Sequence, residues 1–288
     1  MKKFQKWLIL WSAVLLTALF QIWYCREYVP RQVVLVQTEM VLEHLPLALD
    51  GVRLALISDL HCDRQDTDAG LYRRSAALIR DAAPDAVFFL GDYRNRLPER
   101  KNIPPEEIAE LMADFVPQGV AAFAIGGNHD AAQKQEKQME ELEKKLLTKG
   151  IHFLHNQTVP LSLRGEIVAV GGVDDLPETW AKTGDIWEKC AQKFRILLCH
   201  RPEYFASIAL DADLMLSGHT HAGQVSLPVL KDRYRVFRWQ ENYFPRGAFQ
   251  REDGKQLYVT SGVGTSTLRL RMNCPPEVVI LTLKAAGK

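Results

Sequence analysis

Five short stretches carry side chains that bind metals or move protons: Asp59-Leu60-His61, Gly91-Asp92, Asn128-His129-Asp130, Cys199-His200 and His219-Thr220-His221. Carboxylate, amide oxygen and imidazole nitrogen are the donors that suit borderline divalent cations. Histidine also titrates near neutral pH, which fits it for proton transfer. Each piece alone has an ordinary explanation. Asp59-x-His61 reads as surface decoration, Gly91-Asp92 as a turn, Asp130 as a helix cap and His200 as a satisfied histidine, while His219-x-His221 is evenly balanced. Together they would need five separate coincidences. A metal-dependent active site is therefore the expectation.

The elements that must position these groups are legible as well. Each stretch follows an apolar run of strand length: LALIS, AVFFL, AAFAIG, RILL and ADLMLS. In open α/β sheets, ligands bind in the crevice beyond the carboxyl ends of the strands. Glycines precede three of the groups and permit the tight turns that let side chains converge. Between the runs lie amphipathic stretches. Leu71, Ser75, Leu78, Ile79 and Ala82 share one helical face that ends before Pro84. Residues 104–115 open with prolines and two glutamates, and a charged helix closes at Gly150. Further helices are expected around residues 178–193 and 202–209, two strands over 151–175, and a strand-rich tail.

Composition narrows the class. The 288 residues, 47% hydrophobic and 25% charged, suit one ordinary α/β domain after the N-terminal segment. A formal net charge of +1 gives no reason to expect nucleic-acid binding. The five cysteines form no CxxC pair, and their odd number argues against a disulfide framework. Cys62 and Cys199 adjoin candidate ligands, but alternation along an extended chain turns them away, so they are expected to be small buried fillers.

The N-terminus carries Lys2, Lys3 and Lys6, then no charge from Trp7 to Cys25. A helix over that run rises about 28 Å, close to a ~30 Å hydrocarbon core. Trp7, Trp11, Trp23 and Tyr24 sit toward its ends, as interfacial aromatics do. No small-x-small site follows, so a single-pass anchor is expected, with a cleaved signal peptide as the rival. The basic residues ahead of the span place the N-terminus in the cytoplasm and the remaining chain outside the cell membrane.

The ordered set DLH, GD, GNHD, CH and GHTH resembles the calcineurin-like metallophosphoesterase superfamily, from about residue 45 to the C-terminus. GHTHAGQV, SGVGTSTLRLRMNCPPE and the N-terminal span resemble its bacterial membrane-associated branch, some of whose members cleave the pyrophosphate of a UDP-linked lipid A precursor. The resemblance implies two mixed β-sheets packed as a sandwich flanked by helices, preceded here by one transmembrane helix. The division that follows is an anchor over 1–25, a junction over 26–44 and a catalytic domain over 45–288. It also implies two divalent metal ions. Asp59, His61 and His221 would bind the first, Asn128, His200 and His219 the second, and Asp92 would bridge them, offsetting repulsion between the cations. Such a pair activates a bridging water as hydroxide for attack on a phosphodiester, pyrophosphate or phosphomonoester. His129 would assist the developing charge or protonate the leaving oxygen, and Asp130 would orient it. The imidazole-rich donor set favours Mn, Fe or Zn over Mg.

Two stretches depart from the family pattern. Arg94 and Arg96 follow Gly91-Asp92, either adding positive charge near the site or lying as solvated loop residues. LKDRYRVFRWQENYFPRG, from residue 230 to 247, could form a substrate wall, lie on the membrane or be ordinary loop. The expected substrate is a phosphorylated small molecule or a lipid-linked phosphate. The competing readings are a non-catalytic membrane-tethered binding module on the same fold and a phosphoprotein phosphatase.

Overall fold

A computed structural model describes residues 2–63, 68–95, 103–130, 136–175, 185–188, 190–206, 211–226, 244–266 and 268–287. A first helix, α1 (Lys2–Trp23), runs into a π-helical turn over Tyr24–Tyr28 and a 3-10 turn over Val29–Arg31. α1 and the turns after it are long and apolar enough to cross a membrane, by length and composition. The first sheet contains β1 (Val34–Leu42), β2 (Arg53–Ile57), β3 (Ala86–Phe89), β4 (Ala121–Ala124), β5 (Ile151–Phe153) and β12 (Glu277–Ala285), ordered β1-β12-β2-β3-β4-β5. The second contains β6 (Gln157–Leu163), β7 (Glu166–Gly172), β8 (Arg195–Leu198), β9 (Leu214–Ser217), β10 (Gly247–Gln250) and β11 (Gln256–Val259), ordered β10-β11-β9-β8-β7-β6.

Both sheets are mixed. β2, β3, β4 and β5 run parallel, with β12 antiparallel to β2; β7, β8, β9 and β11 run parallel, with β6 and β10 antiparallel at the edges. The first sheet begins at Val34, inside the 26–44 junction, because β1 pairs along its whole length with β12. The expected strand-rich tail resolves into β11 and β12, with residues 260–266 and 268–276 between them irregular apart from an isolated bridge at Met272.

Parallel strands buried on both faces need continuous apolar runs. Leu54, Leu56, Phe88, Ile196, Leu198, Leu214 and Leu216 fill the layer between the sheets. The alternate residues Ala55, Ile57, Val87 and Phe89 face outward under α2 (Ala69–Asp81), α3 (Pro105–Ala113) and α4 (Glu136–Thr148). Asp68 caps α2 by accepting from Gly70 N and Leu71 N. The helix ends at Asp81, and Ala83 turns with φ +46° before Pro84. The expected helix near residue 202 is a short 3-10 turn, Pro202–Ala206, while the one expected over 178–193 lies largely outside the described residues.

One exposed pin links the two sheets. His155 Nδ1 lies 2.9 Å from Asp174 Oδ1, beyond β7, and its Nε2 lies 3.1 Å from Glu143 Oε2 on α4. Hydrogen bonds to Asp174 and Glu143 lift this histidine from 6.5 to about 10. A pKa raised in the folded state stabilises fully below the unfolded value and loses that contribution as pH rises through the folded one. Half-exposure screens the pair, so its contribution is about 1 kcal/mol or less. His155→Gln is expected to lower stability by that amount near pH 6, with the difference from wild type shrinking between pH 6.5 and about 10, read by denaturant titration across that range. In the sandwich layer, Leu56→Ala should cost about 2–5 kcal/mol in the same assay.

Candidate metal centre

All five chemical stretches lie past the carboxyl ends of parallel strands: β2 delivers Asp59 and His61, β3 Asp92, β4 Asn128 and His129, β8 His200, and β9 His219 and His221. The two sheets bring their C-terminal turns together there. Gly218 and Gly127 are where the turns touch. A Cβ on Gly127 would overlap the Asp92 carboxylate, and one on Gly218 would overlap the Ser58 hydroxyl and lie 2.5 Å from Asp59 Oδ2. Only the smallest residue allows this approach.

The chain bends sharply to aim its side chains inward. Asp59 (φ 54°), His61 (49°), Asp92 (57°), His219 (70°) and His221 (47°) all occupy the left-handed region. Such conformations are costly for residues with a Cβ, and they gather at functional sites.

The resulting donors form three overlapping groups, each able to offer one ligand atom per residue within 4.8 Å of the others: Asp59 with His61 and His221, His61 with Asp92 and His129, and Asp92 with His200 and His219. His221 Nε2 lies 3.2 Å from Asp59 Oδ1 and 3.0 Å from His61 Nε2. Asp92 Oδ2 lies 3.6 Å from His61 Nε2 and 3.2 Å from His200 Nε2, so one oxygen faces both histidines. Its partner Oδ1 accepts from His129 N at 2.7 Å.

Asp130 sends its hydrogen bonds into the backbone. Its carboxylate accepts from Asp92 N at 2.7 Å, Tyr93 N at 3.1 Å and Gly127 N at 2.9 Å. These bonds tie the turn after β3 to the turn after β4, and thereby position Asp92, where the sequence suggests orientation of His129. Burial, reinforced by the Asp92 charge, pushes the Asp130 carboxyl up to about 7.

Burial also works to raise Asp59 and Asp92, but neighbouring histidines hold both well below the usual carboxylate range: His221 and His61 for Asp59, His200 and His61 for Asp92. Burial, followed by His200, drives His219 down to about 3, and burial lowers His221. Burial opposes protonation of His200 too, yet the charge of Asp92 draws it up to about 10. Two ionised, buried carboxylates thus pull positive charge into the pocket.

Orphaned atoms show whether cations fit. His200 Nδ1 lies 2.6 Å from the Leu90 carbonyl and must donate to it, leaving Nε2 as the inward donor. That Nε2 and Asp59 Oδ1 are buried without a well-directed hydrogen bond among the described residues, each facing only another inward group of the cluster at 3.2 Å. Buried polar atoms are nearly always satisfied, so exceptions of this kind call for an ion. Oxygen and imidazole donors without thiolate suit a divalent cation. Cys62 and Cys199 are buried in the apolar layers outside the sheets, and burial pushes the Cys62 thiol up to about 12.

Sequence reading missed the groups that support the centre from behind. Arg271, fully buried, donates through Nη2 to the carbonyls of Ser261 and Gly262 and through Nε to Gly264. The same Nη2 lies 3.4 Å from His221 Nδ1. Gln224 clasps the same segment, donating to the Ser266 carbonyl and accepting from Ser266 N. In LRLR nothing local separates buried Arg271 from Arg269. Arg94 is buried, with its backbone bridged to Cys62, which removes it from the solvated-loop alternative. Arg96 and most of the arginine-rich stretch after residue 230 lie outside the described residues.

A model of the calcineurin-like phosphoesterase family matches residues 52–223. The chain is 30% identical over 230 residues to the Bacillus subtilis protein YpbG, covering 79% of each. It is 28% identical over 232 residues to the phosphodiesterase YaeI of Escherichia coli, covering 80% of this chain and 82% of that one. It is also 28% identical over 263 residues to a Danio rerio transmembrane protein with a metallophosphoesterase domain, covering 87% of this chain and 57% of that protein. The close approach at Gly127 generates a direct check. Gly127→Ala is expected to displace the Asp92 carboxylate and lower metal content, measured by elemental analysis of the purified protein, with far-ultraviolet circular dichroism reporting whether the sheets persist.

Proposed function

The chain belongs to the calcineurin-like phosphoesterase family, whose members are metal-dependent hydrolases of phosphoric esters, and on that premise we propose that it is a membrane-anchored dinuclear phosphoesterase. Asp59, His61 and His221 would hold one cation, Asn128, His200 and His219 the other, and Asp92 would be shared. The observation that carries this reading is Asp92 Oδ2, placed 3.6 Å from His61 Nε2 and 3.2 Å from His200 Nε2. The donor set suits Mn, Fe or Zn. When bound, the cations supply Lewis acidity to a water and to the phosphoryl oxygens.

The chain's own residues do the remaining work. Asp92 is held by its own backbone through Asp130 and by His129 N through Oδ1, so its orientation is set before substrate arrives. His129 stands edge-on to His61 with ring centroids 4.6 Å apart, at the rim of the donor cluster. From there its imidazole would stabilise charge on the phosphoryl group or protonate the leaving oxygen. Asp130 serves as a positioning residue for Asp92.

The substrate class is a phosphodiester or pyrophosphate, with a lipid-linked phosphate favoured. That preference is supported by the apolar α1, by the phosphodiesterase relative and by the transmembrane relative. The anchor is assigned to residues 1–25 and the catalytic domain to the chain from β1 onward, on the outer side of the membrane.

Four substitutions separate metal binding from chemistry and one metal position from the other. His129→Ala should keep both cations and lose about 10²–10⁴-fold in kcat on a bis-aryl phosphodiester. Asp92→Asn should lose metal and turnover together, whereas His221→Ala and His219→Ala should each empty a different position. Metal-replete wild type without turnover of any aryl phosphate, diester or lipid-linked phosphate would overturn the enzymatic reading in favour of a binding module.

A further inference from the structure

The helix exit is fastened to the metal centre's supporting loop. Arg271 N donates to the Cys25 carbonyl at 2.9 Å, and the Arg271 side chain braces the segment beside His221. Cys25 is buried although α1 is exposed from residue 3 onward. No free linker separates the span from the domain.

Aromatic rings mark the level of this exit. Phe20, Trp23, Tyr24 and Tyr28 form a ladder, with Tyr24 and Tyr28 stacked at 5.1 Å and Phe20 and Tyr24 at 6.1 Å. Aromatic side chains of this kind settle at the boundary between hydrocarbon and headgroups. Leu268, on the loop that Arg271 ties to Cys25, is 55% exposed, and Leu270 follows it half-buried. Arg26, Arg31 and Arg74 are exposed around the exit, where they pair with Glu27 and Asp68. A cleft bordered by Pro30, Arg31, Thr265 and Arg269 reaches from this surface to His61.

We infer that the loop carrying Leu268 and Leu270 and the aromatic exit of α1 form one membrane-contacting surface, which holds the mouth of the metal centre in the headgroup layer. The occupant is the bilayer that α1 itself spans. The hydrogen bond from Arg271 to Cys25 keeps the loop at the level of the aromatic ladder. A phosphate ester carried on a lipid then meets the protein in the headgroup layer, at the surface where the cleft beside His61 opens. This rests on the membrane-anchored reading above and names how that site meets its substrate.

The test uses the full chain in liposomes. Leu268→Cys, in a Cys190→Ser background, is labelled with an environment-sensitive fluorophore. Leu147→Cys on α4 and Ile167→Cys on β7 serve as controls, since both positions are exposed and lie toward the opposite sheet edges. The inference requires a blue-shifted emission and quenching by nitroxide-bearing lipids at position 268, with neither at 147 or 167. If the protein withstands alkaline carbonate extraction but position 268 behaves like the controls, the docking surface is overturned and the anchor stands. If carbonate releases the full chain, the anchor and the docking surface fall together.

Discussion

Asp92 must keep a negative charge in a buried pocket, and much of the surrounding structure exists to make that tolerable. Its oxygen Oδ2 faces histidines from both sheets, and its oxygen Oδ1 and backbone amide are held by the turn after β4. Burying an unpaired carboxylate is prohibitive unless hydrogen bonds and opposite charge offset the lost hydration. Here Asp59 is buried beside it, which deepens the demand for positive charge. Cations are the natural answer, and the orphaned His200 Nε2 and Asp59 Oδ1 point toward them.

Convergence on this point imposes strain. Five of the inward-facing residues adopt a positive φ, at roughly 1–2 kcal/mol each relative to ordinary backbone. The strain is sustained because the turns cannot relax independently. The Asp130 carboxylate staples two of them, Asp59 Oδ2 accepts from His219 N across the two sheets at 3.0 Å, and the Arg271 guanidinium fixes the loop behind His221. The apolar layer between the sheets holds the strands beneath these turns in register. Stability of the sandwich and geometry of the centre are therefore one problem.

The same interlocking extends to the N-terminal helix. Because Cys25 is buried and its carbonyl is used by Arg271, the helix exit belongs to the domain that carries the metal centre. β1 follows almost at once and pairs with β12, which leads back from the Arg271 loop. The apolar helix and the candidate site are thus joined through both β1 and the Arg271 loop.

The side chains that gather at the strand ends were legible in the sequence because they are of metal-binding types, and parallel strands need apolar runs just ahead of them. Local pattern likewise marked α2, its stop before Pro84, and the long apolar helix α1. Pairing was not legible. β1 looked like junction because an edge strand joins its sheet through a partner far along the chain, Val34 beside Glu277, and the Asp130 bonds run to backbone atoms with no sequence signature. Arg271 differs from Arg269 only in what surrounds it. The sequence by itself determined which side chains of metal-binding type the chain offers and that each follows a strand. Tertiary structure alone decided that one oxygen of Asp92 faces both histidine sets, since that distance depends on how two sheets pack and not on any local spacing.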